Sequence, residues 1–287
     1  MNEPKIIATY YTIAGNAYPG APVASPFSLE RRAAAAVAAG YHGMGLSGDD
    51  LAANVASHGT VGIRRILDDA GIQFLEIECL TDWFARGDAR AASDKMRKLW
   101  LETAVEIGTK HIKVVGDLSN SGVSIEAMAQ DFRLLSDEVA QVGAYVSLEV
   151  FPVSNVSELK SARRLVDLSG TSAGGLLIDI WHMTRPGIPY QEVAALPAHY
   201  IKHVELNDAA ADVVGNLFDD STDNRMLPGE GSFDIPAFLH AITKTGYDGY
   251  YGVEILSQEF RSLEPEVAAQ RSFDAVARQF ALAQEYR

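Results

Sequence analysis

Four short runs of strand-forming residues carry groups that bind metal ions or move protons. They are Ser147-Leu-Glu149-Val-Phe151, Leu177-Ile-Asp179-Ile-Trp-His182, Lys202-His203-Val-Glu205-Leu-Asn-Asp208 and Gly252-Val-Glu254-Ile-Leu256. Glu149, Asp179, His203 and Glu254 are 30, 24 and 51 residues apart in succession. Repeats of about 25–35 residues are what successive strand–helix units require, and the longest gap contains a loop insertion. If the strands are parallel neighbours, the four groups emerge at one end of one sheet. Two Glu, one Asp and one His meeting there make a hard, oxygen-rich site for a divalent ion. Each sits beside residues that favour burial (Leu148, Ile178, Val204, Val253), and a buried carboxylate must be paired or hold a metal.

The elements that must position these groups alternate along the whole chain. Strands are expected at Lys5–Thr12, Tyr41–Ser47, Ile72–Leu80, His111–Gly116, Ala144–Phe151, Leu176–Ile180, Ile201–Leu206 and Tyr250–Leu256. Helical stretches separate them. Ser28, Ser124 and Asp234 stand where helix caps belong. Asp69-Ala-Gly-Ile-Gln, Glu106-Ile-Gly-Thr-Lys, Gln141-Val-Gly-Ala-Tyr and Lys244-Thr-Gly-Tyr-Asp repeat one device, a glycine that ends a helix and feeds the next strand. Eight strands alternating with helices predict a closed (β/α)8 TIM barrel, an α/β fold, as a single domain over residues 1–287. An open doubly wound sheet is disfavoured, because no Gly-x-Gly-x-x-Gly turn follows an early strand. The stretch Ala209–Pro228 is too long for an ordinary connection and reads as a lid.

Composition narrows the function classes. The 287 residues are 47% hydrophobic, with 24 Lys and Arg against 38 Asp and Glu, a formal charge of −14. That surface repels a nucleic-acid backbone and gives no support for an anionic membrane partner. No run approaches the ~18 apolar residues of a membrane span, and the N-terminus has no signal-peptide pattern. Cys79 is the only cysteine, which fits a cytoplasmic location. The expected partner is a small molecule, with a homo-oligomer as an analogy only.

Alternation along the strands leaves some choices open. His203 and Glu205 share a face, so Glu205 competes with His203 for the inward role. Its other readings are a partner for His203 or a salt bridge to Lys113 or Lys202. His111 precedes its expected strand and should lie at the opposite end of the barrel. Arg225 either closes over a ligand from the long loop or pairs with Asp219, Asp220 or Asp223. Glu78 ends strand three. Tyr10, Tyr11, Trp83, Phe151 and Trp181 are placed to wall a ligand or to fill core. Glu230 has no role derivable from its position.

Taken together, Leu-Glu149, Asp179-x-x-His182, His203-x-x-x-x-Asp208, Arg225-x-x-Pro-Gly-Glu-Gly231 and Gly-x-Glu254 resemble the xylose isomerase-like superfamily, and more narrowly its sugar phosphate isomerase/epimerase group. That resemblance implies one divalent ion held by Glu149, Asp179, His203 and Glu254. Mn2+ is the expected ion, with Mg2+, Co2+ and Zn2+ as alternatives. It further implies Glu149 and Glu254 as the catalytic proton carriers, and His182 and Arg225 as substrate-binding residues. Asn155 stands where the ketose epimerases carry another Glu, and the 208–225 stretch is longer than theirs. Both features set the chain apart from a simple free-ketose epimerase. The implied activity is a metal-dependent isomerase or epimerase of a keto-sugar or cyclitol, through an enediolate. The alternative is a lyase or dehydratase on the same scaffold, acting on an inosose, 3-dehydroshikimate or a 3-keto sugar. An abasic-site endonuclease shares the barrel but needs more His ligands and a basic groove.

Overall fold

The computed structural model describes residues 3–19 and 24–285. Eight parallel strands close into a barrel in sequence order: β1 Lys5–Ala8, β2 Gly43–Ser47, β3 Phe74–Leu80, β4 Thr109–Val115, β5 Tyr145–Glu149, β6 Gly174–Asp179, β7 Ile201–Leu206 and β8 Tyr250–Val253. The helices outside it are α1 Tyr10–Ile13, α2 Leu29–Ala39, α3 Gly48–Ala70, α4 Gly87–Ile107, α5 Ile125–Gln141, α6 Leu159–Ser169, α7 Ile180–Thr184, α8 Tyr190–Ala194, α9 Leu217–Asp223, α10 Ile235–Thr245 and α11 Pro265–Glu285. The (β/α)8 barrel expected from the alternation is therefore the fold. Tyr286, placed in the last helix from sequence, lies outside the described residues. Among the described residues no helix is long and apolar enough to cross a membrane.

Local chemistry sets the boundaries. Ser28, Ser124 and Asp234 accept hydrogen bonds from Arg31, Ala127 and Ala237 N–H, capping α2, α5 and α10. The repeated glycines Gly71, Gly108, Gly143 and Gly246 all have positive φ, as the shared helix-ending phrase requires.

Two strands stop three or more residues earlier than expected. β1 stops at Ala8 rather than Thr12, because Thr9 and Thr12 turn their hydroxyls onto the Val253 carbonyl, at 3.0 and 2.7 Å. Tyr10 N–H meanwhile donates to Glu78 at 2.6 Å, so the chain coils into α1 across the barrel mouth. β8 stops at Val253 rather than Leu256, since Ile255 N–H leaves the sheet for the Thr12 hydroxyl. Glu254 thus sits one residue beyond its strand.

The outward strand faces (Leu75, Ile77, Ile112, Val114, Val204, Leu206) are fully buried in the apolar layer between barrel and helices. The barrel interior is polar. Glu76 and Glu78 on β3, His111 and Lys113 on β4, and His203 and Glu205 on β7 are all buried. Each pair is spaced by two, so each pair shares a face. Two inward glycines make room for them. A Cβ on Gly45 would come within 3.0 Å of the carboxylates of Glu76 and Glu78. One on Gly252 would lie 2.8 Å from His203 Nε2 and 3.1 Å from Glu205 Cγ.

Candidate active site

The polar groups fall into layers fixed by strand register. Asp179 pairs with Glu205 across β6 and β7, and Leu177 pairs with His203. His203 is therefore one layer deeper than Asp179. Ligand-capable oxygens of Glu149, Asp179, Glu205 and Glu254 lie within 4.8 Å of one another; Asp179, Glu205 and Glu254 are buried and Glu149 is mostly so. The structure brings three of the four expected ligands together, Glu149, Asp179 and Glu254, with Glu205 as the fourth member of the group. His203 belongs instead to a deeper group with Glu76 and His111. Its Nε2 is 3.5 Å from Glu76 Oε2.

His111 also departs from expectation. β4 begins two residues before it, at Thr109, so His111 points into the barrel. It sits between Glu76, at 3.0 Å, and the Ser147 hydroxyl, at 2.5 Å. Burial, His111 and Lys113 hold His203 well below the usual imidazole range, and burial and Lys113 do the same for His111. Both are neutral rings at neutral pH. Burial also pushes the Glu76 carboxyl up to about 7.

Lys113 occupies the gap between the layers, a position the sequence reading left to a mere salt-bridge option. Its ammonium bonds Glu78, donates to Glu254 at 2.9 Å and lies 2.6 Å from Glu205 Oε1. The last contact is close but lacks hydrogen-bond geometry, and neither Glu205 oxygen has a hydrogen-bond partner. Burial opposes charge on Lys113, but Glu205, Glu254 and Glu78 outweigh it and hold its pKa well above the usual value. For Glu78, burial dominates and lifts its carboxyl to about 8. Burial together with Glu254 pushes Glu205 well above the usual carboxylate range.

Arg225 reaches the site from the long loop, and the surface partners weighed from sequence are not its partners. Its Nη1 is 2.6 Å from Asp179 and 2.9 Å from Glu254. The loop is anchored by Asp208, whose carboxylate accepts N–H groups of Gly229, Gly231 and Phe233 at 2.9–3.0 Å. The Pro-Gly-Glu-Gly turn therefore wraps an acid at the end of β7, with Glu230 exposed. A second anchor is Asp220 on α9, which accepts from Trp181 Nε1 and Arg185 Nε.

Asp179 caps α7 by accepting Trp181 N–H at 2.6 Å, and this turn lifts His182 over the site. His182 Nε2 is 2.6 Å from Glu149 Oε1. Burial disfavours the Glu149 anion, but His182 and Lys113 outweigh it and hold its carboxyl below the usual range. Asp179 is likewise lowered, burial being overcome by Arg225, His182 and the Asn207 amide.

A cavity of about 210 Å³ opens onto this cluster. Lys113, Glu149, His182, Arg225 and Glu254 form its floor. Of the aromatics considered from sequence, Tyr11 and Phe151 line it, whereas Tyr10, Trp83 and Trp181 are buried core. Asn155 braces the β4 and β5 loops through Asp117 N–H and does not line it.

The donor set fits a hard divalent cation. All four groups are carboxylates, and both Glu205 oxygens are buried without hydrogen-bond partners. With Glu78 there are five carboxylates against the permanent charges of Lys113 and Arg225, so the cluster has anionic charge to spare. Burial first, and the neighbouring Glu254 after it, raise Glu205 and Glu78 so that they retain protons.

Known proteins share this architecture. A family model for the xylose isomerase-like TIM barrel matches residues 33–279. Among curated proteins, a 3-dehydroshikimate dehydratase of Pseudomonas aeruginosa is 26% identical over 239 residues, 82% of this chain and 37% of the dehydratase. The chain thus spans little more than a third of that relative. An inosose isomerase of Bacillus subtilis is 23% identical over 192 residues, 63% of this chain and 68% of the isomerase. Among solved structures, the IOLI protein with a bound zinc atom superposes with a TM-score of 0.84 at 19% identity, covering 97% of this chain and 99% of its own. A D-psicose 3-epimerase gives 0.74 at 13% identity, covering 97% and 99%.

Proposed function

The chain belongs to the xylose isomerase-like TIM barrel family, and we propose that within it the protein is a divalent-cation-dependent isomerase or epimerase of a keto-sugar or cyclitol. The observation that carries this reading is the pair Glu149 and Glu254. Both line one cavity, and their oxygens lie within 4.8 Å of each other and of Asp179 and Glu205. One carboxylate takes the proton from the carbon beside the substrate carbonyl, and the other returns a proton to the resulting enediolate. Glu149 is poised as an anion by His182 and Lys113. Glu254 is fixed between Lys113 and Arg225. Arg225 and His182 stand where hydroxyl and carbonyl oxygens of a bound ligand would lie. A cation held by Glu149, Asp179, Glu205 and Glu254 would supply electrostatic stabilisation of the developing oxyanion. The all-oxygen set favours Mn2+ or Mg2+ over zinc.

A specific observation favours a second reading, elimination. The Lys113 ammonium lines the cavity beside Glu254 and can donate a proton to a departing hydroxyl. One relative is a dehydratase. Incubation of the Mn2+-loaded protein in D2O with ketoses, inososes, 3-keto sugars and 3-dehydroshikimate, read by NMR, separates the two. Deuterium beside the carbonyl in an otherwise unchanged or rearranged product supports the isomerase or epimerase. Loss of water or an alkoxide makes the protein a lyase. No exchange with any member sinks the proposal for these substrates.

The ligand assignment makes its own prediction. Glu205→Ala is expected to weaken Mn2+ binding by about 10–100-fold or more, the scale on which even supporting residues act. His203→Ala is expected to change it by less than about threefold, since His203 lies a layer below. Calorimetric titration of the metal-free proteins checks the order, and the reverse order would show that His203 is the ligand on β7.

A further inference from the structure

Above its ionic floor the cavity wall changes character. Val115, Phe151 and Leu256 form the wall, and Leu118 and Phe218 form the rim. The rim residues are 43% and 46% exposed. Such side chains need no explanation when scattered, but these two line one cavity, Leu118 from the β4–α5 connection and Phe218 from α9. Of the hydroxyls that line the cavity, those of Thr222 and Ser221 each already make one bond within the protein. Thr222 donates to the Phe218 carbonyl at 3.0 Å, and Ser221 accepts from Arg225 Nη2 at 3.0 Å.

A free hexose or cyclitol carries hydroxyls around its whole ring. Seated on the floor, it would satisfy one side there and press the other against carbon, leaving those hydroxyls unpaired. It would also leave Leu118 and Phe218 bare. Phe218 stands on an anchored helix, because α9 is tied down through Asp220 to Trp181 and Arg185. The apolar rim thus borders the route to the carboxylates.

We propose that the substrate is amphiphilic, a keto-sugar or keto-cyclitol joined to an aromatic group, as in an aryl glycoside. The keto ring sits on the floor formed by Glu149, His182, Arg225 and Glu254. The aromatic group lies between Phe151, Leu118 and Phe218. This assignment rests on the enolising reading of the floor and specifies what that floor is offered.

The test compares phenyl and methyl 3-keto-glucosides on the Mn2+-loaded protein, with affinity from calorimetry and deuterium exchange from NMR. The phenyl compound is expected to bind about tenfold tighter or more, as burial of a ring requires. Phe218→Ser and Leu118→Ser are expected to remove most of that advantage while leaving exchange of the methyl compound unchanged. Equal affinities overturn the proposal, as does a preference that both variants retain. So does a rim covered by a second copy in solution, shown by sedimentation of a dimer that Phe218→Ser dissociates without altering the preference. Exchange of the methyl compound without a phenyl preference would leave the enolising reading standing and reject only the aromatic substrate.

Discussion

Glu149→Gln and Glu254→Gln are each expected to lower turnover by about 10²- to 10⁴-fold, the usual contribution of a positioned general base, in a barrel that remains folded. The substitutions keep side-chain size and remove a proton-carrying charge that is also one of the four proposed cation ligands, so rates are compared at saturating Mn2+. Neither leaves a buried cation stranded. Without Glu254, Lys113 still faces Glu78 and Glu205, and Arg225 still faces Asp179. Without Glu149, His182 still lies 3.7 Å from Asp179. Steady-state rates with circular dichroism of each variant make the check. The two carriers are also separable, because a variant lacking one can still exchange the substrate proton through the other. Near wild-type turnover in either variant would remove that residue from the proton path.

The barrel was legible because its strands and helices repeat one pattern with the same glycine-ended connection. Glu149, Asp179 and Glu254 were legible for a related reason: each ends an apolar run, and such runs end at the catalytic face of a parallel barrel. His203 and Glu205 show where that logic stops. Alternation puts both inward, but only the register, with Asp179 beside Glu205, decides which reaches the top layer. Register depends on strand tilt in the closed barrel, which a single strand does not encode. Lys113 had left a signal. His111-x-Lys113 on β4 repeats the spacing of Glu76-x-Glu78 on β3 and His203-x-Glu205 on β7, each interleaved with apolar residues. Three polar pairs of this kind describe a barrel with a charged interior. Starting β4 at His111 hid the pattern, since Thr109 and Lys110 belong to that strand. Arg225 gave no periodic cue because its position depends on a loop folded around Asp208.

Lys113→Met is expected to destabilise the metal-free protein by about 3–5 kcal/mol, the scale of removing one partner from a buried ion cluster. Methionine matches the stem's bulk, so the loss is electrostatic rather than a cavity. Glu78, Glu205 and Glu254 would then face one another with Arg225 as the remaining permanent cation on Glu254. They relieve the repulsion by holding protons, which gives the effect a pH dependence of definite sign. With Lys113 present, burial already raises Glu78 to about 8 and Glu205 well above the usual range. Between the ordinary glutamate value near 4.3 and those raised values, the folded protein holds protons that the unfolded chain has released. Stability from these groups is therefore full at low pH and falls as pH rises. Removing the ammonium pushes their proton affinity higher still, so the fall continues beyond the pH at which Glu78 otherwise releases its proton, about 8. The deficit of the variant, measured by urea unfolding after chelation, should widen from about pH 7 to about pH 9. A deficit below about 1 kcal/mol, the value of an exposed pair, or one that does not vary with pH, would mean that Lys113 does not offset charge in this cluster.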